Sequence, residues 1–517
     1  MYKIAILYQR NTTESPYELY LGTIASILEK NSNLDISYYG TSDYNEDAFQ
    51  HITNNAPDAV YLHLGFGNYK WLCKFGEKIK ESNQDIFIVC GFEVPTFDYK
   101  MLLLKYPWID SAIVGEPEET IEELFKAKSK KSTITTIAGM AYHNDRIIKY
   151  VGNRNLIEKI DNLPFPKRFI LQTNGYYILG ARGCVWRCSY CDRNRMNIPT
   201  MCNTQRYRSI TNIVEEIDFL VNNYQCKHIT FFDASFVDDS NMNSRLIELF
   251  NGLRSKQYWV QFFLFMRPTQ INNETISLLT KLKEVGLHRV FIGIETGNED
   301  DLILYRKPIT LKTSEHVFNM FNSLKTDSRD PYILYPEYGF INFNPFTTVK
   351  NLQKNLDFLH DNKVELNPYL LLTKSLIYPG TELAEKVIRD KLNISPNDDI
   401  ISFRFQNPEI EKIFQNIDEF TRILEYTRME KYIIIYNRYV HFFHDTDLSS
   451  TMKMLYNSYI KEVSEQTYEV AKLIYSQQQW LKVIEKKKNR LNKTFMELHG
   501  KYVKMLISLQ KIGESSY

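Results

Sequence analysis

The chain has 517 residues, more than one ordinary domain holds, so about two to four domains are expected. It carries 63 Lys and Arg against 62 Asp and Glu, a net charge of +1, which argues against a nucleic acid as a bulk binding target. No window approaches the ~18 uncharged apolar residues of a membrane span, and the strand-like start Met1–Arg10 is no signal peptide, so a cytoplasmic protein without a membrane partner is expected.

Residues 1–130 alternate between strands and helices, the pattern of a doubly wound parallel sheet. The strands are expected at Lys3–Tyr8, Leu34–Tyr39, Ala59–Leu64, Ile86–Cys90 and Ser111–Val114, with amphipathic stretches such as Tyr17–Glu29 and Tyr69–Glu81 between them. Gly65, Gly67, Gly91 and Gly115 follow strands, where glycine lets backbone approach a ligand at the carboxyl edge of such a sheet. The first strand has no G-x-G-x-x-G after it, so a nicotinamide or flavin site is disfavoured. His63 lies mid-strand and reads as a core or pocket-lining residue.

Residues 131–174 form a linker with a hairpin-like Gly139–Lys149, ending in Leu163-Pro164-Phe165-Pro166. A buried strand over Tyr176–Gly180 then runs into Cys184, Cys188 and Cys191, spaced C-x3-C-x2-C. Seven cysteines, an odd count, speak against a disulfide framework. Three thiolates this close suit three corners of a cubane iron–sulfur cluster, leaving the fourth iron open. A structural zinc site is the other reading, with Cys202 as the fourth ligand.

Strands and helices alternate about six times over 175–385, which suggests a partial (β/α)6 barrel. Helices are expected at Ser209–Tyr224 and at Glu274–Val285, the latter with Asn273 as its cap and Gly286 as its stop. Expected strands are His228–Phe232, Trp259–Met266, Arg289–Gly293, Tyr338–Phe343 and Tyr369–Ile377. Barrel sites assemble at the carboxyl ends of strands, so Asp233, Arg267, Glu295 and Asn344, each following an apolar run, are the candidate site.

The cysteine spacing, with aromatic Tyr190 before the last cysteine, resembles the radical S-adenosylmethionine (SAM) superfamily. Val89–Pro95 and Asp110–Thr120 resemble the cobalamin-binding domains that precede many radical SAM domains, where relatives show a Gly-Gly turn and a V-x-G-E-G-E-x-T run. The loop that supplies a lower histidine to cobalt is absent; Gln9–Glu14 stands there, and the Gly-Gly is Cys90-Gly91. The resemblance implies a 4Fe-4S cluster on Cys184, Cys188 and Cys191, SAM, and cobalamin. It implies that Tyr190 lies near adenine, Asp233 meets the SAM amino group, Arg267 the SAM carboxylate, and Glu295 (in Gly293-Ile294-Glu295-Thr296-Gly297) the ribose. Tyr378-Pro379-Gly380 resembles the family's last-strand turn.

Residues 386–517 read as helical, with Asn416–His444 and Ser450–Gln510 periodic and free of catalytic motifs. Tyr426, Tyr432, Tyr436, Tyr439, Phe442 and Phe443 read as a core stripe, and His441 and His444 as candidate proton carriers. The resemblance implies a cap that selects the substrate. The expected enzyme is a cobalamin-dependent radical SAM methyltransferase acting on an unactivated carbon of a natural product or peptide. Its electrons are expected from a flavodoxin or ferredoxin. The alternatives are a radical rearrangement, cyclisation, epimerisation or dehydration with cobalamin absent or used otherwise, and a zinc-stabilised binding protein.

Overall fold

A computed structural model describes residues 1–10, 18–66, 69–145, 147–171, 175–192, 205–237, 241–325, 334–394, 400–423, 437, 446–478, 481 and parts of 492–511. The chain divides into two compact units. The first comprises Met1–Ala234, Ile377–Glu385 and Ser395–Ile401, and the second comprises Ser235–Leu376, Lys386–Ile394 and Ser402–Tyr517.

In the first unit, β1 (Tyr2–Gln9), β2 (Leu34–Thr41), β3 (Ala59–His63), β4 (Phe87–Gly91), β5 (Ser111–Ile113), β6 (Met140–Asn144) and β7 (Ile147–Tyr150) build one sheet. Its order is β2-β1-β3-β4-β5-β6-β7. The first five strands are mutually parallel, and β6 and β7 add an antiparallel hairpin at one edge. This is the doubly wound α/β order with a topological switch point between β1 and β3. The strands read as unbroken apolar runs because both faces are covered. Ala5, Leu7, Val60, Leu62, Ile88 and Cys90 enter one core, while the alternate residues Ile4, Ile6, Tyr61 and Val89 enter the other.

The same unit then carries β8 (Gly175–Ile178), β9 (Ala181–Arg182), β10 (Arg206–Tyr207) and β11 (His228–Phe231). Strands β8 and β11 pair in parallel, and β9 and β10 antiparallel. Between β10 and β11 lies helix Ile210–Tyr224, whose Ser209 hydroxyl accepts from the Asn212 amide.

The second unit holds β12 (Gln261–Met266), β13 (Leu287–Glu295) and β14 (Tyr335–Phe340), paired in parallel in that order. Gly286 ends the preceding helix at φ +112°, and a Cβ there would lie 2.0 Å from the Val260 carbonyl oxygen, so only glycine fits. Three expectations need correcting. The strand expected at Tyr338–Phe343 lies at Tyr335–Phe340. Helix Asn273–Lys283 is capped by Asn272 rather than Asn273, because the Asn272 side chain reaches the Thr275 amide. The strand expected at Tyr369–Ile377 is instead a short helix, Pro368–Leu371, followed by a single bridge from Lys374 to Phe343. Asn367 caps it, and Pro368 presets its first turn, so capping chemistry overrides the apolar run. Helices Pro408–Ile423 and Thr446–Tyr475 follow. No helix among the described residues is long and apolar enough to cross a membrane.

Candidate functional site

The cysteine loop, within the first unit, follows a clasped strand. Arg208 donates from its backbone amide to the Gly180 carbonyl and from its guanidinium to the Leu179 carbonyl, both at 2.9 Å. The Arg168 guanidinium donates to the Tyr177 carbonyl at 2.9 Å. Both guanidiniums pair with the buried carboxylate of Glu216. Asp233, at the carboxyl end of β11, is 1% exposed, and its Oδ1 accepts from the amides of Gly180 (2.7 Å) and Ala181 (2.8 Å). One oxygen of the carboxylate expected to meet SAM is thus spent on fixing the turn before Cys184.

Two residues before Cys184, Arg182 is buried against the acidic run after β5. It donates to Glu118 Oε1 at 2.6 Å and to Glu116 Oε1 at 3.2 Å, and Arg206 adds two bonds to Glu116 at 2.8 and 2.9 Å. Burial alone would raise the Glu116 carboxyl, but the Arg182 and Arg206 guanidiniums hold it below its ordinary value. The acidic run therefore anchors the strand that carries the cysteines, a role its sequence did not reveal.

Cys184, Cys188 and Cys191 are half-exposed, whereas Cys73, Cys90 and Cys226 are buried. The Cys191 amide donates to the Cys188 carbonyl at 3.2 Å, and the Trp186 amide lies 3.4 Å from Cys184 Sγ. Among the described residues no three His, Cys, Asp or Glu side chains are gathered as a preformed metal site. The donor set nonetheless fits an iron–sulfur cluster: three accessible thiols on one loop, able to deprotonate on binding. Half-buried Tyr190 sits among them. The Leu383 amide donates to the Ser189 carbonyl at 2.9 Å, tying the segment after Tyr378-Pro379-Gly380 to this loop.

At the carboxyl edge of the sheet, Gly65, Gly91 and Gly115 are all buried. Gly115 has φ +90° and donates to the Thr96 hydroxyl at 3.0 Å. A Cβ on Gly91 would fall 2.7 Å from the Tyr61 hydroxyl, so this glycine makes room for the chain's own ring. His63 stacks on Phe92 at 4.3 Å and lies 3.3 Å from the Tyr61 hydroxyl through Nδ1, which is the core or pocket-lining role expected of it. The Phe66 ring is 5.8 Å from that of Tyr378.

In the second unit, Glu295 ends β13 at φ +73°, an unusual conformation for a residue with a side chain. Its Oε1 accepts from Lys307 Nζ at 2.9 Å, with both side chains largely buried. A Cβ on Gly293 would lie 2.5 Å from Glu295 Oε1 and 3.0 Å from Lys307 Nζ, so the first glycine of the motif clears the pair. Arg267 is buried and opens the short turn Pro268–Gln270, its amide donating to Gln270 Oε1 at 2.8 Å. Asn344 is used structurally: its amide group reaches Asp301 Oδ1 at 3.0 Å and the Tyr305 hydroxyl at 2.9 Å. Asn355 Oδ1 accepts from Thr296, Gly297 and Asn298. This network fixes the turn after Glu295, and burial raises the Asp301 carboxyl within it. Sequence reasoning missed Lys307, which lies twelve residues along, in a loop without a motif.

Gly67, Cys202, His441, His444 and the aromatic stripe from Tyr426 to Phe443 lie outside the described residues, as does most of Gln9–Glu14.

Residues 178–330, from the end of β8 to just before β14, match the model of the radical SAM superfamily. The chain carries a radical SAM domain. Such a domain implies a 4Fe-4S cluster and SAM. The chain is 26% identical over 326 residues to an uncharacterized methyltransferase of Pyrococcus horikoshii, covering 62% of this chain and 66% of that protein. It is 23% identical over 405 residues to 4'-phospho-dehydrooxetanocin synthase of Priestia megaterium, covering 72% and 51%. The chain thus spans about half to two thirds of the length of these curated relatives. In fold it is similar to the cobalamin-dependent SAM radical enzyme OxsB with aqua-cobalamin bound. The TM-score is 0.67 at 17% identity, over 99% of this chain and 81% of that one.

Proposed function

We propose that the protein is a cobalamin-dependent radical SAM enzyme that methylates an unactivated carbon of a natural product or peptide. The observation that carries the radical SAM part is the Cys184–Cys188–Cys191 loop, its three accessible thiols delivered by a clasped strand inside the matched segment. When bound, the cluster supplies the electron that cleaves SAM, and cobalamin supplies a methyl carrier. The chain's own residues hold and orient these groups. Cys184, Cys188 and Cys191 hold the cluster. Glu295 accepts from the SAM ribose, Arg267 pairs with the SAM carboxylate, and Tyr190 lies beside adenine. The work of the protein is to keep the reacting atoms together in a water-poor site, so that a radical meets only its intended partner. The cobalamin part is supported by the β2-β1-β3-β4-β5 order and by the likeness in fold to an enzyme whose description names cobalamin. Electrons would come from a flavodoxin or ferredoxin.

The second reading keeps SAM cleavage and drops methyl transfer, in favour of a rearrangement or cyclisation. The stacking of His63 on Phe92 at the carboxyl edge and the likeness to a synthase support it. Anaerobic reconstitution with iron, sulfide and hydroxocobalamin, followed by metal analysis, separates the two. About four irons and one cobalt per chain, with a labelled methyl passing from SAM to the bound cobalamin, support methyl transfer. The same iron with no cobalt supports the second reading.

A further inference from the structure

The cysteine loop begins and ends on a ladder of two rungs. Strands β9 (Ala181–Arg182) and β10 (Arg206–Tyr207) pair antiparallel, Ala181 with Tyr207 and Arg182 with Arg206. Cys184, Cys188 and Cys191 all fall between the two strands in sequence. The rung nearer the cysteines sets an arginine against an arginine, and like charges directly opposite one another work against pairing. A ladder this short, with that rung at its open end, does not hold itself shut.

Glu116, in the turn after β5, supplies what the ladder lacks. Its Oε1 accepts from Arg182 at 3.2 Å and from Arg206 at 2.8 Å, and its Oε2 accepts from the other Arg206 nitrogen at 2.9 Å. Oε2 also accepts from the Ile157 amide at 3.0 Å, while Arg206 donates to the Ile157 carbonyl at 2.6 Å. Glu118 takes the other Arg182 nitrogen at 2.6 Å, so this largely buried set balances two guanidiniums with two carboxylates. A buried cluster of this kind adds little stability that packed apolar side chains would not, because each charge must first leave water. What it fixes is direction: the fork of Arg206 on both oxygens of Glu116 admits one geometry.

We propose that Glu116 is a positioning residue for the iron–sulfur cluster, an inference that rests on the cluster reading above. It locks the two ends of the cysteine loop together through Arg182 and Arg206, and so limits how far the three thiols can separate. Glu116 lies sixty-eight residues before Cys184 and acts only through the two arginines. A loop closed at its base has fewer ways of carrying a thiolate off its iron. Retention of iron, rather than stability of the fold, is the property that this clamp sets.

The test is the rate at which the anaerobically reconstituted full chain loses iron to a ferrous chelator, read by absorbance beside a thermal midpoint. The double variant Glu116→Gln with Arg206→Gln removes one charge of each sign and leaves Arg182 paired with Glu118. The interior stays balanced while the link across the loop is cut. It is expected to keep a midpoint near that of the wild type and to lose iron about tenfold faster or more. Arg206→Lys keeps the charge but not the fork, so it should lose iron faster by a smaller factor, and it decides the question if the double variant does not fold. Leu62→Ala, in the core of the sheet, lowers the midpoint without touching the clamp and should lose iron at the wild-type rate. Wild-type rates in both clamp variants overturn the clamp and leave the cluster reading standing. Iron loss from Leu62→Ala as fast as from the clamp variants makes the effect one of general stability and also overturns the clamp. A wild type that holds no iron overturns both.

Discussion

Lys307 Nζ donates to Glu295 Oε1 at 2.9 Å, and this pair is built on a left-handed backbone at Glu295 and a bare Cα at Gly293. A carboxylate held in one orientation by a buried ammonium keeps its other oxygen and remaining lone pairs directed, which suits a vicinal diol such as a ribose. A loosely held glutamate would have to be ordered on each binding event.

Lys307→Met is therefore expected to weaken SAM binding about tenfold or more while iron loading persists. Glu295→Gln should do the same, and the double variant should lose little beyond either single one, because the residues act as a unit. Gly293→Ala should resemble them, since its Cβ collides with both partners. Equilibrium dialysis of labelled SAM against reconstituted protein measures this. An additive double variant would contradict the account.

Asp233 acts on the cysteine loop through backbone. Asp233→Ala leaves the Gly180 and Ala181 amides without their acceptor, at a cost of about 1–3 kcal/mol. Asp233→Asn retains an acceptor oxygen. The expected order of iron content after reconstitution is wild type, then Asn, then Ala, measured by metal analysis beside a thermal midpoint.

The Arg182–Glu116–Arg206 cluster gives a dependence on acid. The folded Glu116 carboxyl lies below its ordinary value of 4.5, so its contribution is present above pH 4.5 and is lost as pH falls through the depressed folded value. Acid unfolding followed by circular dichroism should show this loss. Glu116→Gln should remove that part of the pH dependence. At neutral pH it should cost about 3–5 kcal/mol, because two buried guanidiniums lose a charged partner.

Much of the N-terminal architecture was legible because a sheet covered on both faces writes its strands as apolar runs. The strands expected from Lys3, Leu34, Ala59, Ile86 and Ser111 all begin and end within two residues of those observed. The segment Tyr369–Ile377 was misread because apolar content cannot separate a short buried strand from a capped helical turn, and Asn367-Pro368 was the missed signal. Long-range partnerships were not legible at all. Nothing local to Glu116 announces Arg182, sixty-six residues away, and nothing local to Glu295 announces Lys307. Phe92 went unnoticed because its positive φ of 89° appears in backbone angles and not in letters. Asp233 and Asn344 were singled out as polar residues after apolar runs, and the contacts described for them are with the chain itself.

The most direct measurement is SAM cleavage by the anaerobically reconstituted, dithionite-reduced protein, run beside Cys184→Ala, Cys188→Ala, Cys191→Ala, Cys73→Ala and Cys226→Ala. The expected result is about four irons per chain and formation of 5′-deoxyadenosine with methionine. Each of the three loop variants should lose both, and the two buried-cysteine variants should keep both. A colourless protein that holds one zinc, cleaves no SAM and depends on Cys202 as strongly as on the other three cysteines would contradict it.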